Sequence, residues 1–235
     1  MTDLSILIPT TPDRREFLTR LTNSLSNQIR DCGVLSQVEI LINETAPFDK
    51  NDPIKELSIG YKRNKLLQKA SGDYVAFIDS DDRISEKYIC LLFEGIAKNP
   101  DCCSLVGEIT VDGLNPLIFH HSIRYNEYIT KPEQPDSRKY AYEKYSAAYV
   151  AWIEKNKMMQ VQYDGKTDWV KYERYPNHLN CIRASIAKQF KFPEEGPIAN
   201  HGEDTAWATQ LHLSRLLKTE FEINEILYHY DYVNK

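Results

Sequence analysis

The sequence predicts an α/β protein in which a mostly parallel sheet is flanked by helices. In the first hundred residues, short apolar runs that suit buried strands alternate with segments whose apolar residues recur at helical spacing. Polar residues follow each apolar run directly, as they do where parallel strands end at a ligand-binding edge. Such alternation predicts right-handed crossovers, with helices on both faces of the sheet.

The elements of the first half follow from these patterns. They are, in order, a strand over 4–8, a helix started by Thr11 and Pro12, a strand over 38–42, a helix over 59–70, a strand over 74–78 and a helix capped by Ser85. The strand ends carry Pro9-Thr10-Thr11, Asn43-Glu44 and an acidic turn at Asp79-Ser80-Asp81-Asp82. All three should meet at one edge of the sheet.

The second half is polar and aromatic. Residues 120–176 hold nine of the fifteen tyrosines together with Trp152 and Trp169. A helix is expected over 140–156, a hairpin over 160–172 with its turn at Asp164-Gly165, a helix over 202–217 and a strand over 222–232. Two interpretations stay open: a peripheral subdomain packed with tyrosines, or a platform whose rings stack on the sugars or bases of a ligand.

Composition excludes several classes of protein. The 235 residues carry a net charge of −5, with 42% hydrophobic and 27% charged residues, which is ordinary for a globular chain and unlike a disordered one. The mild acidity argues against a dedicated nucleic-acid binder. No apolar run approaches the roughly 20 residues of a membrane span, and the first residues lack the pattern of a secretory signal. The five cysteines match no zinc or disulfide spacing, so reduced thiols in a cytoplasmic protein are expected.

The acidic turn after the third strand is the strongest chemical signal. Three carboxylates at Asp79, Asp81 and Asp82 repel one another, whereas a structural role would need one. An isolated acidic turn is more often a solvated loop, but here it follows a buried strand. A hard divalent cation such as Mg²⁺ or Mn²⁺ would offset the repulsion, because it takes carboxylate and phosphate oxygens as ligands.

Four segments together resemble glycosyltransferase family 2. They are Leu4-Ser5-Ile6-Leu7-Ile8-Pro9-Thr10, Gly60-Tyr61-Lys62-Arg63-Asn64, the stretch from Ala70 through Asp82, and Gly202-Glu203-Asp204-Thr205-Ala206-Trp207. They occur in family order and span residues 4 to about 207. The resemblance implies the GT-A fold and inverting transfer from a nucleotide-diphosphate sugar, with a UDP-sugar as the expected donor.

The resemblance also implies roles for particular residues at the donor site. The nucleotide sugar would be bound by Pro9, Thr10, Thr11, Glu44, Arg63, Asp79, Ser80 and Asp81. A Mn²⁺ or Mg²⁺ ion would be held by Asp79 and Asp81, with His229 as a further candidate ligand. Asn43-Glu44 replaces the family's more common aspartate-rich turn. Asp82 could instead cap the next turn, His229 could be a core histidine, and His178 could line the donor-sugar pocket.

Asp204 would be the general base and Glu203 would orient the acceptor or a neighbour. The alternative is that both simply complement the dipole at a helix start.

The chain would divide into a nucleotide-sugar half, 1–111, and an acceptor and catalytic half, 112–235, with a glycan, protein or modified nucleic acid as acceptor. The rival functions are a non-catalytic sugar-nucleotide or glycan binder and a nucleotidyltransferase, although residues 4–15 lack the glycines of a phosphate loop.

Overall fold

The computed structural model describes residues 2–46, 58–111, 114–126, 161–162, 169–199 and 202–232. Its strands are β1 (Leu4–Thr10), β2 (Val38–Glu44), β3 (Tyr74–Phe77), β4 (Arg83–Ile84), β5 (Cys102–Cys103), β6 (Leu105–Val111), β7 (Leu114–His121), β8 (Val161–Gln162), β9 (Trp169–Arg174), β10 (Ile182–Arg183), β11 (Glu220–Phe221) and β12 (Ile226–Tyr232). Its helices are α1 (Arg15–Asp31), α2 (Ile59–Lys69), α3 (Tyr88–Ile96), α4 (Ala184–Ala187) and α5 (Glu203–Ser214).

The first sheet has the strand order β11-β5-β10-β3-β1-β2. Strands β1, β2 and β3 are parallel, as their alternation with helices predicts, and β10 runs antiparallel between β3 and β5. The register pairs Thr10 with Glu44 and Leu7 with Phe77. The three polar segments at the carboxyl ends of β1, β2 and β3 therefore lie at the same edge.

The second sheet has the order β4-β12-β6-β7-β9-β8 and mixes parallel with antiparallel pairs. Strand β4 follows the acidic turn directly and pairs with β12 from the far end of the chain, so that Tyr228 lies opposite Ile84. This sheet thereby brings C-terminal residues to the acidic turn. The α/β class is confirmed, whereas the second sheet was not predicted.

The core lies on both faces of the first sheet, because alternate side chains of its strands point to opposite faces. On one face, Leu4, Ile6 and Ile8 pack in a cluster with residues of α1 and α3. On the other, Leu7 and Phe77 belong to a cluster with residues of α2, α4 and α5. The packing fixes the starts of α2 and α5 beside the carboxyl ends of the parallel strands.

Two predicted helix starts can be compared with the structure. Thr11 is the N-cap of a 3₁₀ turn over Pro12–Arg14 that leads into α1, although its side chain makes no capping bond. Ser85 does not cap α3, which begins at Tyr88 with Lys87 as N-cap. The N–H of Ser85 donates to Leu227, and its carbonyl accepts from Gln28 and from the N–H of Tyr88, so Ser85 lies in the turn that leads into α3.

The expectation of five reduced thiols is wrong for two of them. Cys32, after α1, and Cys90, in α3, form a disulfide across a Cα separation of 5.7 Å. Their 58-residue separation along the chain gave no sign of this pairing, which depends on how α1 packs against α3. The other cysteines, Cys102, Cys103 and Cys181, are free and buried.

In the second half, the predicted hairpin is confirmed in its strands, since β8 pairs antiparallel with β9. Its turn at Asp164-Gly165 and the expected helix over 140–156, including Trp152, lie outside the described residues. Helix α5 and strand β12 fall within the helix and strand predicted there, and Glu220–Phe221 forms a separate short strand. Among the described helices, none combines the length and apolar character needed to cross a bilayer.

Candidate functional site

The site lies at the edge where β1, β2 and β3 end. Pro9 and Thr10 close β1, Thr11 follows at the start of the 3₁₀ turn, and Glu44 closes β2 opposite Thr10. The acidic turn follows β3 within two residues. The structure thus brings together the predicted nucleotide-binding residues of the three strand ends. Glu44 is exposed, and its carboxylate accepts from Arg15 at 3.2 Å.

Arg63 is the centre of the site's charge network. Its side chain, 4% exposed on the inner face of α2, donates through Nη2 to both oxygens of Asp79 at 2.9 and 3.1 Å and through Nη1 to Glu203. Burial alone would lower the pKa of Arg63, but the carboxylates of Asp79, Glu203 and Asp204 hold it above its usual value. A guanidinium can bridge two carboxylates in this way, because its donors form a planar fork.

Glu203 and Asp204 occupy the first turn of α5, as predicted. The turn begins at Gly202, whose φ of +110° suits a residue without a side chain. Glu203 is 5% exposed, and burial raises its pKa to about 7 against the opposing pull of Arg63. The side chain of Asp204 is 29% exposed. Glu203 is therefore committed to Arg63, whereas Asp204 remains accessible to a ligand.

The carboxylates of the acidic turn have different environments. Asp81 is 38% exposed and its Oδ1 accepts from Arg14 at 2.8 Å. Asp82 is buried and accepts from the hydroxyl of Tyr228, which in turn accepts from the backbone N–H of Asp79 at 3.2 Å. Burial, followed by the charge of Asp79, holds the pKa of Asp82 well above its usual range. Asp82 thus locks the turn to β12. Asp81 and the Arg63-bound Asp79 are the partly exposed carboxylates of the turn.

Three basic residues that sequence reasoning passed over also shape the edge: Arg14, Arg20 and Lys62. Arg20 of α1 donates to the carbonyls of Asp81 and Asp82 at 2.7 and 3.0 Å. Lys62 is buried, and its Nζ donates to the carbonyls of Thr10, Thr45 and Ala46 at 3.1–3.3 Å. A signal for Lys62 was present, because it stands four residues before the apolar Leu66, on the buried face of the helix.

Lys62 ties the end of β1 to the segment after β2, across the predicted nucleotide pocket. Burial, followed by the charge of Arg14, lowers the pKa of Lys62 to about 8.

Ser80, in the acidic turn, is fully buried, and its hydroxyl has no hydrogen-bond partner among the described residues.

The predicted metal ligands are only partly brought together. Asp79 and Asp81 flank Ser80 in one turn, while the ring Nδ1 of His229 on β12 lies 3.6 Å from Glu108. Within the described residues, no three His, Cys, Asp or Glu side chains are grouped so as to hold a metal ion. Tyr228, which precedes His229 on β12, points to the acidic turn. Because successive side chains of a strand point to opposite faces, the His229 ring lies on the other face of β12.

The site is thus built around a pair of carboxylates, Asp79 and Glu203, that Arg63 bridges at the edge where the parallel strands end. The model of glycosyl transferase family 2 matches residues 55–175, just over half of the chain. The chain therefore belongs to glycosyl transferase family 2, which confirms the predicted family. No curated protein sequence matches the chain.

Solved structures support the same fold. Staphylococcus aureus TarS matches with a TM-score of 0.58 and 15% identity, over 98% of this chain and 37% of that one. TarS 1–349 in complex with UDP matches with a TM-score of 0.53, and in complex with UDP-GlcNAc with 0.52, both at 15% identity. These matches cover 98% and 100% of this chain and 60% of each TarS 1–349 chain. This chain thus spans between about a third and three-fifths of the length of the proteins it resembles.

Proposed function

We propose that this protein transfers a sugar from a nucleotide-diphosphate sugar to an acceptor hydroxyl with inversion, using Asp204 as general base. The observation that carries the proposal is the convergence of Arg63, Asp79 and Glu203 with the accessible Asp204 at the edge where the parallel strands end. A UDP-sugar is the first donor to test, because the complexes of TarS 1–349 contain UDP and UDP-GlcNAc.

In the proposed reaction, the acceptor hydroxyl gives its proton to the Asp204 carboxylate. Its oxygen bonds to the anomeric carbon from the face opposite the diphosphate, whose bond to that carbon breaks, and the nucleoside diphosphate leaves. Arg63 bonds directly to Asp79 and Glu203. Of the three carboxylates around Arg63, Asp204 is therefore the one without a direct bond to the arginine in the described structure. General-base assistance of this kind contributes about 10²–10⁴-fold to a rate.

The donor set at the acidic turn fits a hard divalent cation. Asp81 offers carboxylate oxygen at a half-exposed position, and its partner Arg14 is itself 40% exposed, so a cation can take that partner's place. Asp81 with Asp79 would hold Mn²⁺ or Mg²⁺. His229 stays a proposed further ligand, and its ring would have to leave Glu108 and turn to the face of β12 that carries Tyr228. A bound cation supplies positive charge that stabilises the leaving diphosphate.

The acceptor region is proposed within residues 112–235, with 1–111 as the nucleotide-sugar half. The acceptor is a glycan, a protein or a modified nucleic acid, and the tyrosine-rich stretch is proposed to bind it. The cytoplasm is the proposed compartment, and the Cys32–Cys90 disulfide is the observation that stands against it, because cytosolic thiols are usually kept reduced. Alkylation of Cys32 and Cys90 in intact cells tests it: modified, reduced thiols support the cytoplasm, and a protected disulfide argues against it.

The test of the proposed function is a panel of nucleotide sugars with Mn²⁺ or Mg²⁺, in which release of the nucleoside diphosphate is measured. Metal-dependent release from a UDP-sugar supports the proposal. Asp81→Asn should lose that release, whereas Asp31→Asn, the same change at an exposed residue of α1, should keep it. Tight UDP-sugar binding without release for any acceptor would favour the non-catalytic binder, and pyrophosphate release from a nucleoside triphosphate would favour a nucleotidyltransferase.

A further inference from the structure

His178 lies beneath the candidate base, in the turn between β9 and β10. The turn is well fixed: its carbonyl at His178 accepts from the N–H of Phe77, and the side chains of Asn177 and Asn180 hold its backbone. The ring is 5% exposed and lies edge-on to Phe77 and Phe192 at centroid distances of 6.1 and 6.4 Å. Its position is therefore set by a rigid apolar environment.

Neither ring nitrogen of His178 has a hydrogen-bond partner within the described residues. A buried polar group without a partner costs about 1–3 kcal/mol, so such a group in a native fold calls for a functional explanation. The nearest acidic group is Asp204, whose Oδ2 lies 4.0 Å from Nδ1 of His178. That separation is about 1 Å longer than a hydrogen bond.

The charges around the ring decide its protonation state. Burial and then the cations of Arg63 and Arg174, together with His121, hold the pKa of His178 well below its usual range. The ring is therefore a neutral imidazole at physiological pH, with one nitrogen as donor and the other as acceptor. A proton on Nδ1 would face the Asp204 carboxylate, and that arrangement suits a hydrogen bond to the charged form of the aspartate.

We propose that His178 is a positioning residue for Asp204: its Nδ1–H donates to Oδ2 and leaves Oδ1, whose present partner is the exposed hydroxyl of Thr205 at 3.5 Å, for the acceptor hydroxyl. The inference rests on the proposed function, in which Asp204 is the base. Catalytic hydrogen bonds that are long without substrate commonly tighten in the substrate complex. The closure requires about 1 Å of movement at the first turn of α5, which begins at the left-handed Gly202.

The chain allows the two nitrogens to be tested separately by substitution. In His178→Asn the amide nitrogen falls near the position of Nδ1, in His178→Gln near that of Nε2, and His178→Phe keeps the ring shape without a donor. His212→Phe serves as the control, because His212 is an α5 residue stacked on Tyr175 at 4.3 Å, away from the base. Circular dichroism and melting temperatures establish that each variant is folded.

Kinetics use UDP release from the donor identified by the panel, with water as the acceptor. His178→Phe and His178→Gln should lower kcat roughly ten- to hundredfold, the effect of a lost charge-assisted hydrogen bond, with the donor KM within threefold. His178→Asn should recover most of kcat. In an Asp204→Asn background, His178→Phe should have no further effect, because the two residues act as a unit. Equal loss in the Asn and Phe variants, or a full additional loss in that background, would overturn the inference.

A spectroscopic readout separates this inference from the proposed function. In ¹⁵N NMR of the whole chain, the His178 ring should be the neutral Nδ1–H tautomer. Its Nδ1 signal should shift in Asp204→Asn and should stay at the wild-type position in the control Asp31→Asn. An Nε2–H tautomer overturns the positioning role even if Asp204→Asn is inactive. An Nδ1–H tautomer coupled to Asp204, combined with full activity of Asp204→Asn, overturns Asp204 as the base and with it the proposed role of His178.

Discussion

Replacing Arg63 with methionine should be among the most destabilising single changes at the site. The stem of the side chain is kept, but Asp79 and Glu203 lose the cation that they share. Removing one partner of a buried ion pair typically costs about 3–5 kcal/mol, because the remaining charge is left uncompensated. We expect the free energy of unfolding to fall by that amount at pH 7.5. Arg63→Lys should cost less but not be neutral, since a single ammonium cannot bridge both carboxylates.

The pH dependence of this loss has a defined sign. Glu203 already has a folded-state pKa of about 7 beside Arg63, above its ordinary value of 4.5. Without the arginine that pKa rises further, so the folded variant binds more protons than its unfolded chain. The stability of Arg63→Met relative to wild type should therefore increase as pH falls from 8 to 5.

Urea denaturation, followed by circular dichroism at pH 5.5 and 7.5, measures both effects. Arg30→Met, at a residue of α1 whose side chain is 70% exposed, serves as the control and should change stability by no more than about 0.5 kcal/mol. Combining Arg63→Met with Glu203→Met should cost less than the sum of the single changes. A loss below about 1 kcal/mol for Arg63→Met, or a loss that does not vary with pH, would refute the assignment of Arg63 as the centre of the network.

Three further predictions concern other parts of the site. Lys62 has a pKa of about 8 in the folded protein and near 10.5 in the unfolded chain, so the unfolded chain binds more protons between these values. The free energy of unfolding of wild type relative to Lys62→Met should therefore rise by up to roughly 3 kcal/mol between pH 7 and 10.5. A difference that does not change with pH in urea titrations would contradict this. Tyr228→Phe leaves buried Asp82 without its donor and should cost about 1–3 kcal/mol, with weaker Mn²⁺-dependent UDP binding by calorimetry; unchanged values for both would speak against the lock. Trp169→Ala should raise the acceptor KM more than it changes donor hydrolysis, and a lower melting temperature with unchanged kinetics would support simple packing instead.

The sequence predicts the site edge well, for a physical reason. Alternating strands and helices favour right-handed crossovers, which place Thr10, Glu44 and the acidic turn together without any knowledge of packing. The three strands predicted there, over 4–8, 38–42 and 74–78, were accordingly right to within one or two residues, whereas β4, β5, β6 and β7 were not predicted. The start of α5 at Glu203 also followed from local sequence, since acidic residues and a preceding glycine mark a helix start.

The contacts that define the chemistry could not be predicted in this way. Arg63 and Glu203 are 140 residues apart, and Tyr228 meets Asp82 across 146 residues. Both contacts depend on how sheets and helices pack, and period and spacing carry no information about such distant partners. The Cys32–Cys90 disulfide was missed for the same reason.

The central claim is that this protein transfers sugar from a nucleotide sugar and that Asp204 takes the proton. The most direct measurement compares nucleoside diphosphate release by wild type, Asp204→Asn and Asp31→Asn, with the donor from the panel and its dissociation constant determined in parallel. The claim predicts that Asp204→Asn binds the donor within threefold of wild type and loses about 10²–10⁴-fold in turnover, while Asp31→Asn retains full activity. Turnover by Asp204→Asn at the wild-type rate would contradict it.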